Sequence, residues 1–164
     1  MRRTLVVAST VCALIAASAP PVLAQERTSS AFTLSSGTPR TPEQGATRLH
    51  QVDLTLEIDP AERSIAGRAL LFIRPTEPLS AVVVELDTVF DISRITVNGT
   101  PIENWTNPEG RLTIPLPAPA MAESRLLVAI EYAGKPHTAR NAPWDGGFVW
   151  SESNGQPWIA TAVQ

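Results

Sequence analysis

The 164-residue sequence predicts an all-β fold, an open sandwich or barrel of short strands. Three observations carry that expectation. Apolar and polar residues alternate with a period of two from Leu49 onward, as on strands with one buried face. Prolines and turn formers interrupt the pattern at short intervals. No segment after Leu49 spaces its apolar residues as a helix would, and no internal repeat of fixed period is present.

The chain opens with Met1 to Ala24, which has the composition of a secretory signal peptide. Arg2 and Arg3 form a positive start, Leu5 to Ala17 an apolar run too short to span a bilayer, and Val22-Leu23-Ala24 a small-residue cleavage site. Cleavage there leaves 140 residues without cysteine, since the single Cys12 departs with the peptide. An exported bacterial protein, periplasmic or secreted, is expected, held by its core rather than by disulfides. Residues 25–48 are rich in Ser, Thr, Gly and Pro and are expected to form a disordered leader.

The β domain is expected over residues 49–164. Val52, Leu54, Leu56 and Ile58 alternate with Asp53, Thr55, Glu57 and Asp59 as a half-buried first strand, ended by the turn Asp59-Pro60-Ala61-Glu62. Ile65 to Ile73 is apolar on both faces and is expected centrally between layers, with Gly67 where a side chain would obstruct a neighbour. Ala81 to Leu86 and Ile92 to Val97 follow as strands, and Asn98-Gly99 supplies a tight hairpin turn returning through Ile102. Leu112, Ile114 and Leu116 alternate, and Pro115 confines that strand to an edge, before a stiff loop at Pro117 and Pro119. Leu126, Val128, Ile130 and Tyr132 line one face of a further strand, and residues 134–141 form a polar loop.

Without Arg2 and Arg3, 11 basic residues face 16 acidic ones, a net charge of −5, and Lys135 is the only lysine. Such a balance argues against nucleic acid and anionic membrane as partners. No catalytic constellation is legible. His50 and His137 stand alone, and His-Glu-x-x-His, Gly-x-Ser-x-Gly and phosphate-cradling glycine loops are all absent, so the chain itself is expected to bind no metal. Asp145-Gly146-Gly147 reads as a turn signal, and Asp87 and Asp91 as solvated turn residues.

Three of the four tryptophans, Trp144, Trp150 and Trp158, fall close together near the end of the chain. Residues so costly to leave in water need a cover, which is either a neighbouring domain packed on them or a ligand in a groove they line. The chain then stops at Gln164 behind the apolar run Ile159 to Val163, which suggests the front part of a larger protein.

The order of these features resembles the N-terminal domain of zinc aminopeptidases of the aminopeptidase N family, which includes leukotriene hydrolase-type and cold-active bacterial enzymes. The resemblance rests on Val52-Asp-Leu-Thr-Leu-Glu-Ile-Asp, Ile65-Ala-Gly67, Leu71-Phe72-Ile73, Val84-Glu-Leu86-Asp87, Ile95-Thr-Val97-Asn98-Gly99 and Leu126 to Gly134. Its most specific part is Pro143-Trp-Asp-Gly-Gly-Phe-Val-Trp with Gly155-Gln-Pro-Trp-Ile-Ala-Thr-Ala-Val-Gln. It implies a saddle-like, largely open β domain packed on a thermolysin-like catalytic domain that this chain lacks. The zinc, its ligands, the catalytic Glu and the Gly-x-Met-Glu-Asn motif would all lie downstream of it, and peptides would be the substrates. By position, the resemblance implies that Gln164 contacts the substrate's free amino group; otherwise Gln164 is a frayed terminal residue. A free-standing periplasmic β-sandwich that binds peptide or glycan through the Trp residues is the alternative.

Overall fold

In a computed structural model the chain is described over residues 40–142 and 144–162. The expected signal peptide and the leader up to residue 39 lie outside these residues. Among them are nine strands in chain order: β1 (Thr47–Asp59), β2 (Ser64–Pro75), β3 (Leu79–Glu85), β4 (Phe90–Val97), β5 (Thr100–Pro101), β6 (Arg111–Ala120), β7 (Leu126–Gly134), β8 (Gly147–Ser153) and β9 (Gln156–Ala162). All the sheets are open: a five-stranded one ordered β1-β2-β7-β4-β5, a two-stranded β3-β6 and a two-stranded β8-β9.

Ordered structure begins before Leu49. A single helical turn, α1 (Pro42–Gly45), is held by a capping box in which the Thr41 hydroxyl accepts from the Gln44 amide and Gln44 accepts in return from the Thr41 amide. Thr47 and Arg48 already pair with Pro75 and Arg74, and the Ala46 carbonyl accepts from the Thr76 amide at 2.8 Å. The leader expected to reach residue 48 therefore gives way to structure several residues earlier. Local side-chain hydrogen bonds accomplish this in a segment whose composition carries no periodicity.

The core lies between the inner face of the large sheet and the β3-β6 pair. Ala69, Leu71 and Ile73 of β2, Leu126, Val128 and Ile130 of β7, and Ile95 and Val97 of β4 meet Leu79, Val82, Leu112, Ile114 and Ala120 from the opposite layer. The alternation read along Leu126 to Tyr132 points into this core, with only Tyr132 half-buried at its margin. The β4-β5 turn uses Asn98 at φ 49°, and the Asn98 side-chain oxygen accepts from the Leu127 amide, which locks the turn to β7. β6 lies in a two-stranded sheet, as Pro115 requires, but it runs on through Pro117 and Pro119 to Ala120, where a loop was expected. An extended backbone suits proline on an edge that requires no donor, and a register shift between Leu79 and Ala81 accommodates the change.

Two strands depart from their expected burial. β2 is an inner strand, flanked by β1 and β7, yet Leu70 and Phe72 on its outer face are only half-buried, so a single layer covers it. β1 departs further. Its apolar residues pair with the core-facing residues of β2, Val52 with Leu71 and Leu54 with Ala69, and cross-strand partners share a face. The β3-β6 layer does not reach them. Leu49, Val52, Leu54, Leu56 and Ile58 are 40–59% exposed. Where the cover stops, a cleft of about 370 Å³ opens, lined by Leu49, Leu71, Ile73, Val83, Leu86 and Tyr132 among others. Gly67 acts here as the sequence suggested: a Cβ would lie 2.5 Å from Leu56 Cδ2 and 2.9 Å from the Thr55 carbonyl, so its absence lets Leu56 lie across β2.

Candidate interface around the tryptophan hairpin

The β8-β9 hairpin turns at Asn154-Gly155, with φ 52° and 73°. Its register pairs Trp150 with Ile159 and Ser151 with Trp158. Side chains alternate along a strand, so Trp150 and Trp158 stand on opposite faces of the hairpin. The tryptophans therefore do not share one aromatic surface. Phe148 and Trp150, two residues apart on one face, stack with ring centroids 5.3 Å apart and planes inclined by 21°. Trp158 is 52% and Trp144 76% exposed, whereas Trp150 is half-buried.

The loop after β7 holds the hairpin in place. The Phe148 amide donates to the His137 carbonyl at 2.7 Å, and the Ala139 amide donates to the Phe148 carbonyl at 3.0 Å. Such close approach needs Gly147, whose φ is 135° and where a Cβ would meet the His137 carbonyl oxygen at 2.5 Å. Asp145, read from sequence only as part of a turn, closes the loop. Its carboxylate accepts from the amides of Arg140 at 2.6 Å and Asn141 at 2.8 Å. Desolvation raises its pKa, but these amide donors, its own amide and the nearby His137 outweigh that and hold the carboxyl below the ordinary aspartate value. Sequence spacing carried no sign of this clamp, because the acceptor follows its donors by four and five residues across an irregular loop.

Between the hairpin and the β1-β2 turn lies a cleft of about 460 Å³ lined by Pro60, Ala61, Arg63, Trp150, Glu152 and Ile159, among others. The Trp150 Nε1 is buried without a hydrogen-bond partner among the described residues. Lys135 bridges to Glu62 of the β1-β2 turn at 3.2 Å, but both side chains are about two-thirds exposed and the pair contributes little.

His50 sits exposed at the bulge of β1 and His137 in the loop beyond β7. Among the described residues no three His, Cys, Asp or Glu side chains come together in a way that could hold a metal ion. Asp87 accepts from the Val89 amide and is a turn residue, as its sequence context suggested, whereas Asp91, expected beside it in the turn, lies exposed within β4 because the strand already begins at Phe90. Gln164 and Val163 lie outside the described residues, as does Pro143. The surface that sequence reasoning missed is the uncovered face of β1; alternation named its residues but could not say that their cover is absent.

No protein-family model matches the chain, and no curated protein matches it. Solved structures do. An M1 zinc metallopeptidase variant from Deinococcus radiodurans, bound to a Tyr-Ser-Ala substrate, is 26% identical with a TM-score of 0.56, over 68% of this chain and 25% of its own. The same organism's M1 zinc metallopeptidase in another structure matches at 24% identity and a TM-score of 0.56, over 68% of this chain and 27% of its own. A two-domain M1 zinc metallopeptidase variant bound to L-arginine gives 23% identity and a TM-score of 0.54, over 69% of this chain and 28% of its own. The chain thus spans about a quarter of the length of the structures it matches. Its structural relatives are M1 zinc metallopeptidases of the aminopeptidase N family, and its β domain has the fold of their N-terminal domain.

Proposed function

We propose that this chain is the scaffold and substrate-gating domain of an exported zinc aminopeptidase that releases N-terminal residues from peptides. The observation that carries the reading is the match to M1 zinc metallopeptidases over about two-thirds of this chain and a quarter of theirs. Two features support it. The inner face of β1 continues the core surface beyond its cover, and large apolar patches of this kind mark interfaces. Trp158 on the hairpin and Trp144 in the loop before it add exposed aromatic area. A second, zinc-bearing module of the same polypeptide is the partner these surfaces would meet. Export follows from the character of Met1 to Ala24.

Among the described residues no group of side chains fits zinc, and no step of peptide hydrolysis is assigned to them. Bound by the remaining polypeptide, zinc would supply an activated water for attack on the scissile carbonyl. This chain's own contribution is positioning. Gln164 follows β9 in sequence, and its side-chain oxygen can accept from an ammonium and so register the free amino end of a peptide. A glycan- or peptide-stacking platform gains less support, because Trp150 and Trp158 face opposite ways.

The test is the coding sequence beyond the Gln164 codon. The proposal expects a His-Glu-x-x-His helix there. A stop codon, or a continuation without any metal-binding motif, would refute it.

A further inference from the structure

The other edge of β1 pairs with no strand among the described residues, although β1 is 13 residues long and every residue after Thr47 is exposed. Long apolar edges are ordinarily protected by lysine, proline or a central bulge. β1 has neither lysine nor proline, and its one irregularity lies near its start, between Leu49 and Gln51. We propose that this edge pairs with the same edge of a second copy of the chain, antiparallel about a two-fold axis at Leu54, joining two five-stranded sheets into one.

The charge pattern selects both the occupant and the register. Alternation and the bulge place Arg48, Gln51, Asp53, Thr55, Glu57 and Asp59 on the outer face, with the cation at one end and the acids toward the other. A two-fold axis at Leu54 sets Gln51 against the second copy's Glu57 and Asp53 against its Thr55. With the bulge retained, Arg48 meets the second copy's Asp59. On the inner face Leu54 meets Leu54, Val52 meets Leu56, and Leu49 meets Ile58. Each pair occurs twice by symmetry. Neighbouring registers fail: an axis at Asp53 sets that carboxylate against itself, and one at Thr55 sets Asp53 against Glu57. Like charges directly opposite destabilise a ladder, whereas apolar and opposite-charge pairs support it. The existing Arg48–Glu123 contact, 3.9 Å long between side chains more than half exposed, offers little competition.

Sedimentation of the purified full chain over a range of concentrations tests the pairing, with far-UV circular dichroism to confirm that each variant is folded. The wild-type chain is expected to reach a concentration-dependent dimer. Leu54→Lys sets two cations face to face on the axis and should weaken dimerisation about tenfold or more. Thr55→Asp should weaken it by opposing Asp53, and adding Asp53→Lys to that variant should restore it. With Cys12→Ser in the background, Leu54→Cys should cross-link to itself under mild oxidation, while Ile58→Cys, which faces Leu49, should not. A chain that stays monomeric at every concentration, as it would if another segment covers β1, overturns the proposal. So does a dimer indifferent to Leu54→Lys, or one in which Asp53→Lys fails to rescue Thr55→Asp.

Discussion

Replacing Gly147 by alanine should release the tryptophan hairpin from the domain while leaving the main core intact. Gly147 sits at φ 135°, and a methyl group there would fall 2.5 Å from the His137 carbonyl oxygen and 2.9 Å from the Ala139 nitrogen. Both neighbours are backbone, so neither can turn aside as a side chain could. Holding alanine at this φ costs about 1–3 kcal/mol. Relieving the clash separates residues 137–139 from β8 and breaks the 2.7 Å and 3.0 Å hydrogen bonds that flank it, each contributing about 0.5–1.5 kcal/mol net. A local loss of roughly 2–6 kcal/mol follows from these terms, comparable to what typically holds a surface hairpin closed. Amide hydrogen exchange reads it directly: Phe148 and Ala139 should lose protection by about thirtyfold or more, on the order of 1.4 kcal/mol per factor of ten. Val128 and Ile130, in the core, should keep theirs. Trp150 emission should shift to the red as its half-buried indole is released. Unchanged protection at Phe148 and Ala139 would refute the assignment of Gly147 as the point where loop and hairpin must touch.

Further outcomes are expected elsewhere. Leu112→Ala empties a fully buried position between the layers and should cost about 2–5 kcal/mol, read as a lower midpoint in denaturant unfolding. Asp145 is held below the ordinary aspartate value, so its contribution to the loop is present at neutral pH and is lost as pH falls through that depressed value; the Arg140 and Asn141 amide shifts should titrate together in acid, and Asp145→Asn should abolish that titration. Burial pushes the Tyr132 phenol above its ordinary value of 10.0; its stabilisation is present below that value and is lost as pH rises through the raised one, which ultraviolet titration of the folded chain should register. Gly67→Ala should displace Leu56 and push β1 from β2, because the new methyl meets the Thr55 carbonyl as well as the Leu56 side chain; lower exchange protection along β1 is the expected sign.

Much of the strand framework was legible because alternation reports directly on pleated surfaces. Leu126 to Tyr132 and the Asn98-Gly99 turn emerge where the pattern put them, since both the inward period and the positive φ are local properties. Val52 to Ile58 shows where that legibility ends. The period was correct, but burial depends on whether an opposite layer extends far enough, and β3-β6 does not. β6 persisted through Pro117 and Pro119 because an edge strand tolerates missing donors. The Thr41–Gln44 capping box had its signature in Thr-Pro-x-Gln, overshadowed by the polar composition around it. At the candidate interface, three tryptophans close in sequence looked like one surface, and strand parity divides them. The Asp145 clamp and the Gly147 contact arise from a loop folding back on a hairpin, a non-local event that no spacing rule encodes.

We propose that this β domain serves a zinc aminopeptidase without carrying its chemistry. Turnover of aminoacyl-nitroanilide substrates, compared between the product of the full open reading frame and this chain alone, tests it most directly. Chelator-sensitive, zinc-restored turnover is expected in the first and none in the second. Turnover by this chain alone, or an inactive full-length product that retains zinc, would contradict it.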